Sequence, residues 1–545
     1  MDKKKGILNV TVSVSFKILL LIGSLLVRRF LINYVADGDR VNGLDSLYTS
    51  IIGFLSVAEL GIGSAITFCM YKPVVEGDNK KLSALYFLFK KLNLVIGGVI
   101  LAGGVILMPF LKYLAADYSS LNVNLYFTFG LMLVSVVLTY MFSAKTAIIN
   151  AYKNNYITTA ISSGGQLLQY VLQIITVVIT RSFVGYLVCR IVAVAAQWII
   201  TELITRFKYG AVIADKQIVD AETRHNVSKN VKAMFMHKIG AVLVNSVDSI
   251  IISAFIGVAV LGYYSNYVAV MTAMTGLLAL FFTPLTSVVG HMCLSEDNES
   301  VLRYYKFFHV FNFIIGVVFF LGYYAVIDDF IAIWLGADHI MAKSISFVIT
   351  LNSFIQFMRK ANTLFRDATG TFYYDRWRAV VEGVVNIVLS VAFVLLFKEL
   401  FGPEIGVVGV IAATIVTNIF ICHVVDPYVL YKHVFLTSPK KFYFKNYLFI
   451  AIFAVALIAV HFSLQSFESR WIELLVNGCI AVAVSVVPCA AVLVTDKNFR
   501  SHFKSTVNRF KVKFAGRKSA SPQTAVGEEV SEGENARGQD GEGDN

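Results

Sequence analysis

Stretches of about 20 apolar residues, the length a helix needs to cross the hydrocarbon core, recur along this chain from near residue 9 to residue 494. Within them the apolar residues run continuously instead of alternating with period two. That selects helices over a closed barrel as the way to satisfy the backbone in lipid. The pattern predicts an all-α, polytopic membrane protein of about fourteen spanning helices, with about twelve as the rival count. The spans fall at 9–35, 44–71, 92–114, 122–144, 155–180, 183–204, 233–256, 259–290, 305–326, 343–365, 378–397, 404–431, 446–463 and 471–494. The first follows Lys3, Lys4 and Lys5 as a secretory signal would. It is too long for one and lacks a small-residue cleavage pattern, so it reads as a retained helix.

Composition agrees: 57% of residues are hydrophobic, 15% charged, and the mean hydropathy is +0.70, where soluble domains carry about 25% charge. The net charge of +12 would suit a nucleic-acid binder, but its distribution says otherwise. With the N-terminus inside, the cytoplasmic connections hold clusters such as Lys72, Lys80, Lys81, Lys90 and Lys91, or Lys432, Lys440, Lys441 and Lys445, while outer connections hold single residues such as Arg40, Lys112 and Arg181. This is the positive-inside pattern, and it places both termini in the cytoplasm of an inner-membrane protein. The cations sit where anionic membrane lipids attract them, and no nucleic-acid partner is expected.

Between the first two spans, Val41, Gly43, Ser46 and Tyr48 are matched by Val260, Gly262, Ser265 and Tyr267 between the seventh and eighth. Both sets follow a helix leaving the cytoplasm, which implies parallel halves, as in transporters built around a central site. The expected organisation is a first lobe over 1–204, an interlobe loop over 205–232, a second lobe over 233–431 and an appended helix pair over 432–495. A basic amphipathic segment over 496–518, interfacial helix or plain tail, and a disordered acidic tail over 519–545 follow.

Ionisable groups at membrane depth are costly and usually face water, a partner or substrate. Here cations predominate: Lys17, Arg28 and Arg29 in span one, Arg190 in span six, Lys238 in span seven, and Arg359 with Lys360 in span ten. Cations gathered around an interlobe cavity would neutralise an anionic head group such as a phosphate or diphosphate, for which the planar Arg fork is suited. The competing reading is that Lys238, Arg359 and Lys360 snorkel to the inner head groups. Arg28 and Arg29 lie about 100° apart on a helix, so both do not face one cavity. The acids Glu59 and Asp248 either couple transport to an ion, pair with Arg28 or Arg29 in the cavity, or form structural bridges between helices. His237 is either a proton relay or an ordinary polar contact.

The chain has no Walker loop, HExxH site or convincing nucleophile set, and the six cysteines lack paired spacing. Neither enzyme activity nor a metal or other cofactor is expected.

The run from Arg28 to Asp78, together with His237 to Tyr267, IWLG at Ile333 to Gly336 and Gly370 to Ser390, resembles bacterial polysaccharide flippases of the Wzx type, in the multidrug/oligosaccharidyl-lipid/polysaccharide exporter superfamily. The resemblance spans about residues 10 to 495 and departs from the family at Asp37, Gly38 and Asp39, in a longer outer turn. It implies a two-lobed, V-shaped transporter, acting as a monomer, that carries an undecaprenyl-diphosphate-linked oligosaccharide to the outer leaflet for capsule or other surface polysaccharide. Membrane lipids, a polysaccharide polymerase and glycosyltransferases are the implied partners. Export of a cationic drug by the same architecture, or a non-transporting scaffold in a polysaccharide synthesis complex, are the alternatives.

Overall fold

A computed structural model describes residues 3–59, 62–118, 121–214, 217–219, 246–282, 285–371, 374–496 and 499–501. Most of the interlobe loop, the inner part of span seven with His237 and Lys238, and nearly all of the basic segment and acidic tail lie outside the described residues.

The chain forms helices throughout: α1 Lys3–Tyr34, α2 Gly38–Leu55, α3 Ile62–Glu76, α4 Asn79–Leu107, α5 Leu111–Leu114, α6 Leu125–Ala151, α7 Asn155–Thr180, α8 Phe183–Ala214, α9 Ser246–Phe255, α10 Val258–Phe282, α11 Leu285–Ser295, α12 Asn298–Trp334, α13 Lys343–Met358, α14 Lys360–Thr369, α15 Arg376–Phe401, α16 Gly406–Thr417, α17 His423–His433, α18 Lys440–Ser463 and α19 Arg470–Thr495. Side-chain oxygens start several of them by accepting backbone N–H groups that lack a partner in the first turn. Asp78 caps α4, Asn124 caps α6 and Asp297 caps α12.

Among the described residues, nine helices are long and apolar enough to span a membrane, and ten if α10 and α11, bent by 43° at their junction, form one span. The protein is a multi-pass membrane protein; the expected count of fourteen is not reached on this criterion. The shortfall has local causes. The second span is interrupted by a 3-10 turn at Ser56–Glu59, the seventh is described only from Ser246, and the tenth breaks at Arg359 between α13 and α14.

The compact unit Met1–Val492 contains two groups of helices. In the first, α1, α2, α4, α6, α7 and α8 pack on one another, with Ile66, Leu82, Phe89 and Ile148 in a core at one end. In the second, α12 packs against α13 and α18, α15 against α16, and α11 against α14, with Tyr305, Phe365, Tyr431 and Phe442 in the corresponding core. α12 is the most enclosed of the long helices, whereas α4 and α19 leave Val99, Ile106, Leu475 and Val487 outward, as helices bounded by acyl chains do. The second unit, Leu493–Asn545, is described only at its start, where Asp496 accepts the Phe499 N–H at 2.8 Å.

The halves meet chiefly where α2 crosses α10. A Cβ on Gly43 would lie 1.8 Å from the Val258 carbonyl oxygen, and one on Gly262 would lie 2.1 Å from that of Asp39. The two approaches are equivalent by the 219-residue offset (262 − 43 = 258 − 39 = 219), which is the offset of the sequence repeat. Only glycine lets two backbones come this close. The other repeat partners are equivalent too. Tyr48 and Tyr267 are both fully buried, the first donating to Leu125 O at 3.0 Å, the second to Asp328 Oδ1 at 3.0 Å.

Candidate substrate cavity

The crossing seals one end of a cavity of about 520 Å³ between the two groups of helices. α1 and α2 supply Lys17, Ser24, Arg28, Asp45, Ser46 and Thr49; α9 and α10 supply Ser249, Tyr264, Ser265 and Thr272 from the other side. Ser46 and Ser265 are repeat partners, so the pseudo-symmetry that joins the halves also places a hydroxyl from each in the shared wall. Nine of the nineteen lining residues carry hydroxyls, which makes a surface suited to water and polyols. A second space of about 710 Å³ shares Ser249, Tyr264, Val268 and Thr272 with the first and continues into the second helix group as far as Lys360, Asp367 and Thr414.

At the sealed end, Arg28 Nη1 donates to Ser265 Oγ at 2.7 Å and Asn266 Oδ1 at 3.1 Å. Asn42 Nδ2 lies 3.0 Å from the Gly262 carbonyl and 3.1 Å from the same two side-chain oxygens. Beyond this layer the seam continues with Ala116 N donating to Ser253 O (3.2 Å), and with Asp39 Oδ1 and His339 Nε2 3.2 Å apart, an ion pair when the imidazole is protonated.

The cations singled out in the sequence go to different places. Lys17 and Arg28 line the cavity; Arg29, one residue on, is exposed and does not. Arg190 lies beside the cavity wall with Nη1 3.0 Å from Met132 Sδ, and Asp45 stands within electrostatic reach of both Arg190 and Arg28. Arg359 is turned away into a buried ion network: Nε pairs with Asp426 Oδ2 at 2.9 Å, and Nη1 reaches Asn418 Oδ1 at 2.7 Å and Glu382 Oε1 at 3.5 Å. Arg378 closes that network with Asp426 and Glu382 at 2.9 and 2.5 Å. The side chain of Arg359 therefore neither snorkels nor lines either space, while adjacent Lys360 does line the second. Lys238 lies outside the described residues.

Of the acids, Glu59 accepts from Tyr140 Oη at 2.7 Å inside the first half, away from both spaces. Asp248 lines the second space, accepts from Thr414 Oγ1 at 3.3 Å and is linked through it to Asn386 at 2.9 Å; its Oδ1 is buried with no hydrogen-bond partner. The carboxylate beside Arg28 is Asp45, which the sequence reading passed over. Among the described lining residues of the two spaces, Lys17, Arg28 and Lys360 are matched in number by Asp45, Asp248 and Asp367.

No protein-family model matches the sequence, and neither does any curated protein. Solved structures do match. The lipid II flippase MurJ in an inward closed conformation superposes with a TM-score of 0.59 at 14% identity, over 87% of this chain and 98% of that one. The fold is that of MurJ and the MATE transporters. An inward-facing multidrug resistance MATE family transporter of the MOP superfamily gives 0.54 at 12% identity (75% of this chain, 96% of that one). A mutant of the Vibrio cholerae MATE transporter VcmN gives 0.51 at 13% identity (80% and 98%).

Proposed function

We propose that the protein is a flippase carrying an undecaprenyl-diphosphate-linked oligosaccharide from the cytoplasmic to the outer leaflet of the inner membrane, for capsule or other surface polysaccharide. Both termini are cytoplasmic in this reading, 1–204 and 233–431 are the two lobes, and 432–495 is an appended pair. The observation that carries the proposal is the cavity shared by the halves, with Arg28 bridging to Ser265 and Asn266 at its sealed end and hydroxyls covering much of its wall. A guanidinium at the closed end suits a diphosphate, the hydroxyls suit a sugar chain, and the polyprenyl tail stays in lipid. The seam at Gly43 and Gly262 closes the outer side, and its separation exposes the cavity there, which is alternating access. Asp248 is the ion-coupling group of this scheme, because its buried Oδ1 lacks a partner that a bound cation or proton would provide. A polysaccharide polymerase and glycosyltransferases are the partners the scheme calls for.

The test is translocation of a defined lipid-linked oligosaccharide by the purified protein in vesicles. Arg28→Gln, which keeps a hydrogen-bond donor and removes the charge, is expected to abolish translocation while leaving insertion and thermal stability near wild type. Wild-type rates in Arg28→Gln would refute the cavity's role. The three carboxylates of the two spaces, Asp45 in the first and Asp248 and Asp367 in the second, favour a second reading, export of a cationic drug. Uptake of such a drug by the same vesicles, without movement of lipid-linked sugar, would replace the flippase reading.

A further inference from the structure

A separate cavity of about 520 Å³ opens where the start of α12, the α17–α18 turn and the start of α18 converge. Its wall contains Lys306, Lys440, Lys441 and Lys445, with Thr437 and Ser438, and none of its nine lining residues is an acid. Lys440 and Lys441 bring two ammonium groups to the wall of one hollow, and an anion stabilises like charges held this close. α18 points its N-terminus at the hollow. Its N-cap is Pro439, which offers no side-chain acceptor to the first-turn N–H groups, so that end carries partial positive charge and free donors.

His309 makes the hollow more than a patch of surface lysines. It lines the cavity, is 1% exposed, sits between the rings of Phe442 and Phe449, and neither ring nitrogen has a hydrogen-bond partner. A buried imidazole without a partner bears the full desolvation penalty of its polar atoms. A bound acceptor oxygen in the hollow would satisfy it. Hydroxyls from Thr437 and Ser438 add donors at the rim.

We infer that this hollow is a binding site for a phosphate-bearing anion, distinct from the interlobe cavity, with Lys440, Lys441 and the α18 N-terminus holding the phosphate and His309 donating from below. The surroundings favour a lipid head group as the source. Lys441, Phe444 and Leu448 follow one another at helical spacing along α18, and Phe444 and Leu448 are exposed at 74% and 44%, so an acyl chain leaving the hollow finds an apolar stripe on the same helix. Basic pockets at the ends of spanning helices bind anionic head groups in this way.

The full-length protein, delipidated and then titrated with phosphatidylglycerol, cardiolipin or phosphatidylcholine, tests this by native mass spectrometry and thermal shift. Wild type is expected to retain the two anionic lipids and not phosphatidylcholine. Lys440→Gln with Lys441→Gln, both exposed and outside the core, is expected to weaken retention about 30-fold, the worth of two lysines at an anionic surface. His309→Phe, which preserves the ring packing, should weaken it several-fold. Lys80→Gln with Lys81→Gln, at the basic end of the first half, should leave it unchanged. Competition with soluble glycerol phosphate separates the sources: displacement of the lipid at matched phosphate concentration assigns a free anion, and failure to displace assigns the head group. Retention equal in wild type and in the Lys440/Lys441 variant, or equal for phosphatidylcholine, overturns the site. None of these readouts depends on what the interlobe cavity transports.

Discussion

Replacing Gly43 with alanine should open the seam between the two groups of helices. The added Cβ would sit 1.8 Å from the Val258 carbonyl oxygen, where ordinary contact begins at 3.4 Å. The opposing atom is backbone on a packed helix and has no rotamer by which to escape, so α2 and α10 must part by roughly 1.5 Å, as overpacked elements do. Overpacking of this kind costs about 1–3 kcal/mol. At about 2 kcal/mol, the balance between sealed and separated halves moves about 30-fold toward separation. The penalty falls on the sealed arrangement alone, because the separated halves no longer bring Gly43 against Val258. Spin labels at Ala36 and Ala337, exposed positions on opposite halves near the seam, read the change as a distance distribution by double electron-electron resonance in a cysteine-free background. The longer-distance population should grow in Gly43→Ala and, by the internal symmetry, in Gly262→Ala. Gly98→Ala, with no atom within 4 Å of the new Cβ, should leave it unchanged. An unaltered distribution in a Gly43→Ala protein that inserts and melts like wild type would refute the role of this crossing as the closure between the halves.

Arg359→Ala strands Asp426 and Glu382 in a buried network and should cost about 3–5 kcal/mol, visible as a lowered melting temperature and poor yield; a wild-type melting curve would show that Arg378 alone suffices. Arg28→Gln should show the opposite profile, stable and inactive, so the two arginines separate structural from transport roles in one pair of assays. Asp248→Asn should change the pH or sodium dependence of transport if Oδ1 receives the coupling ion, and an unchanged dependence would leave Asp248 as a structural partner of Thr414.

Continuous apolar runs were sufficient to read the chain as a bundle of spanning helices, because in lipid the backbone has no other partner than itself. Fewer than fourteen helices pass as spanning among the described residues partly because Arg359 and the turn at Ser56–Glu59 interrupt helices that hydropathy alone runs together. The repeat at Gly43 and Gly262 was also legible, since glycine at a helix crossing is dictated by backbone proximity and must sit in the residues themselves. What the sequence could not decide was the destination of each charge. Arg28 and Arg29, or Arg359 and Lys360, are neighbours about 100° apart on a helix; one of each pair faces a cavity and the other does not, according to which helix lies alongside. Asp45 gained its place beside Arg28 and Arg190, and Arg359 its network with Asp426 and Glu382, only when segments tens of residues apart came together. His309 reads in the sequence as one polar residue in an aromatic helix, and becomes a buried imidazole without a hydrogen-bond partner in a lysine-lined hollow only once α18 has packed against α12. Local sequence determines a helix and its apolar extent; the sign and company of a buried charge are properties of the assembled bundle, because electrostatic energy depends on distances that chain order does not encode.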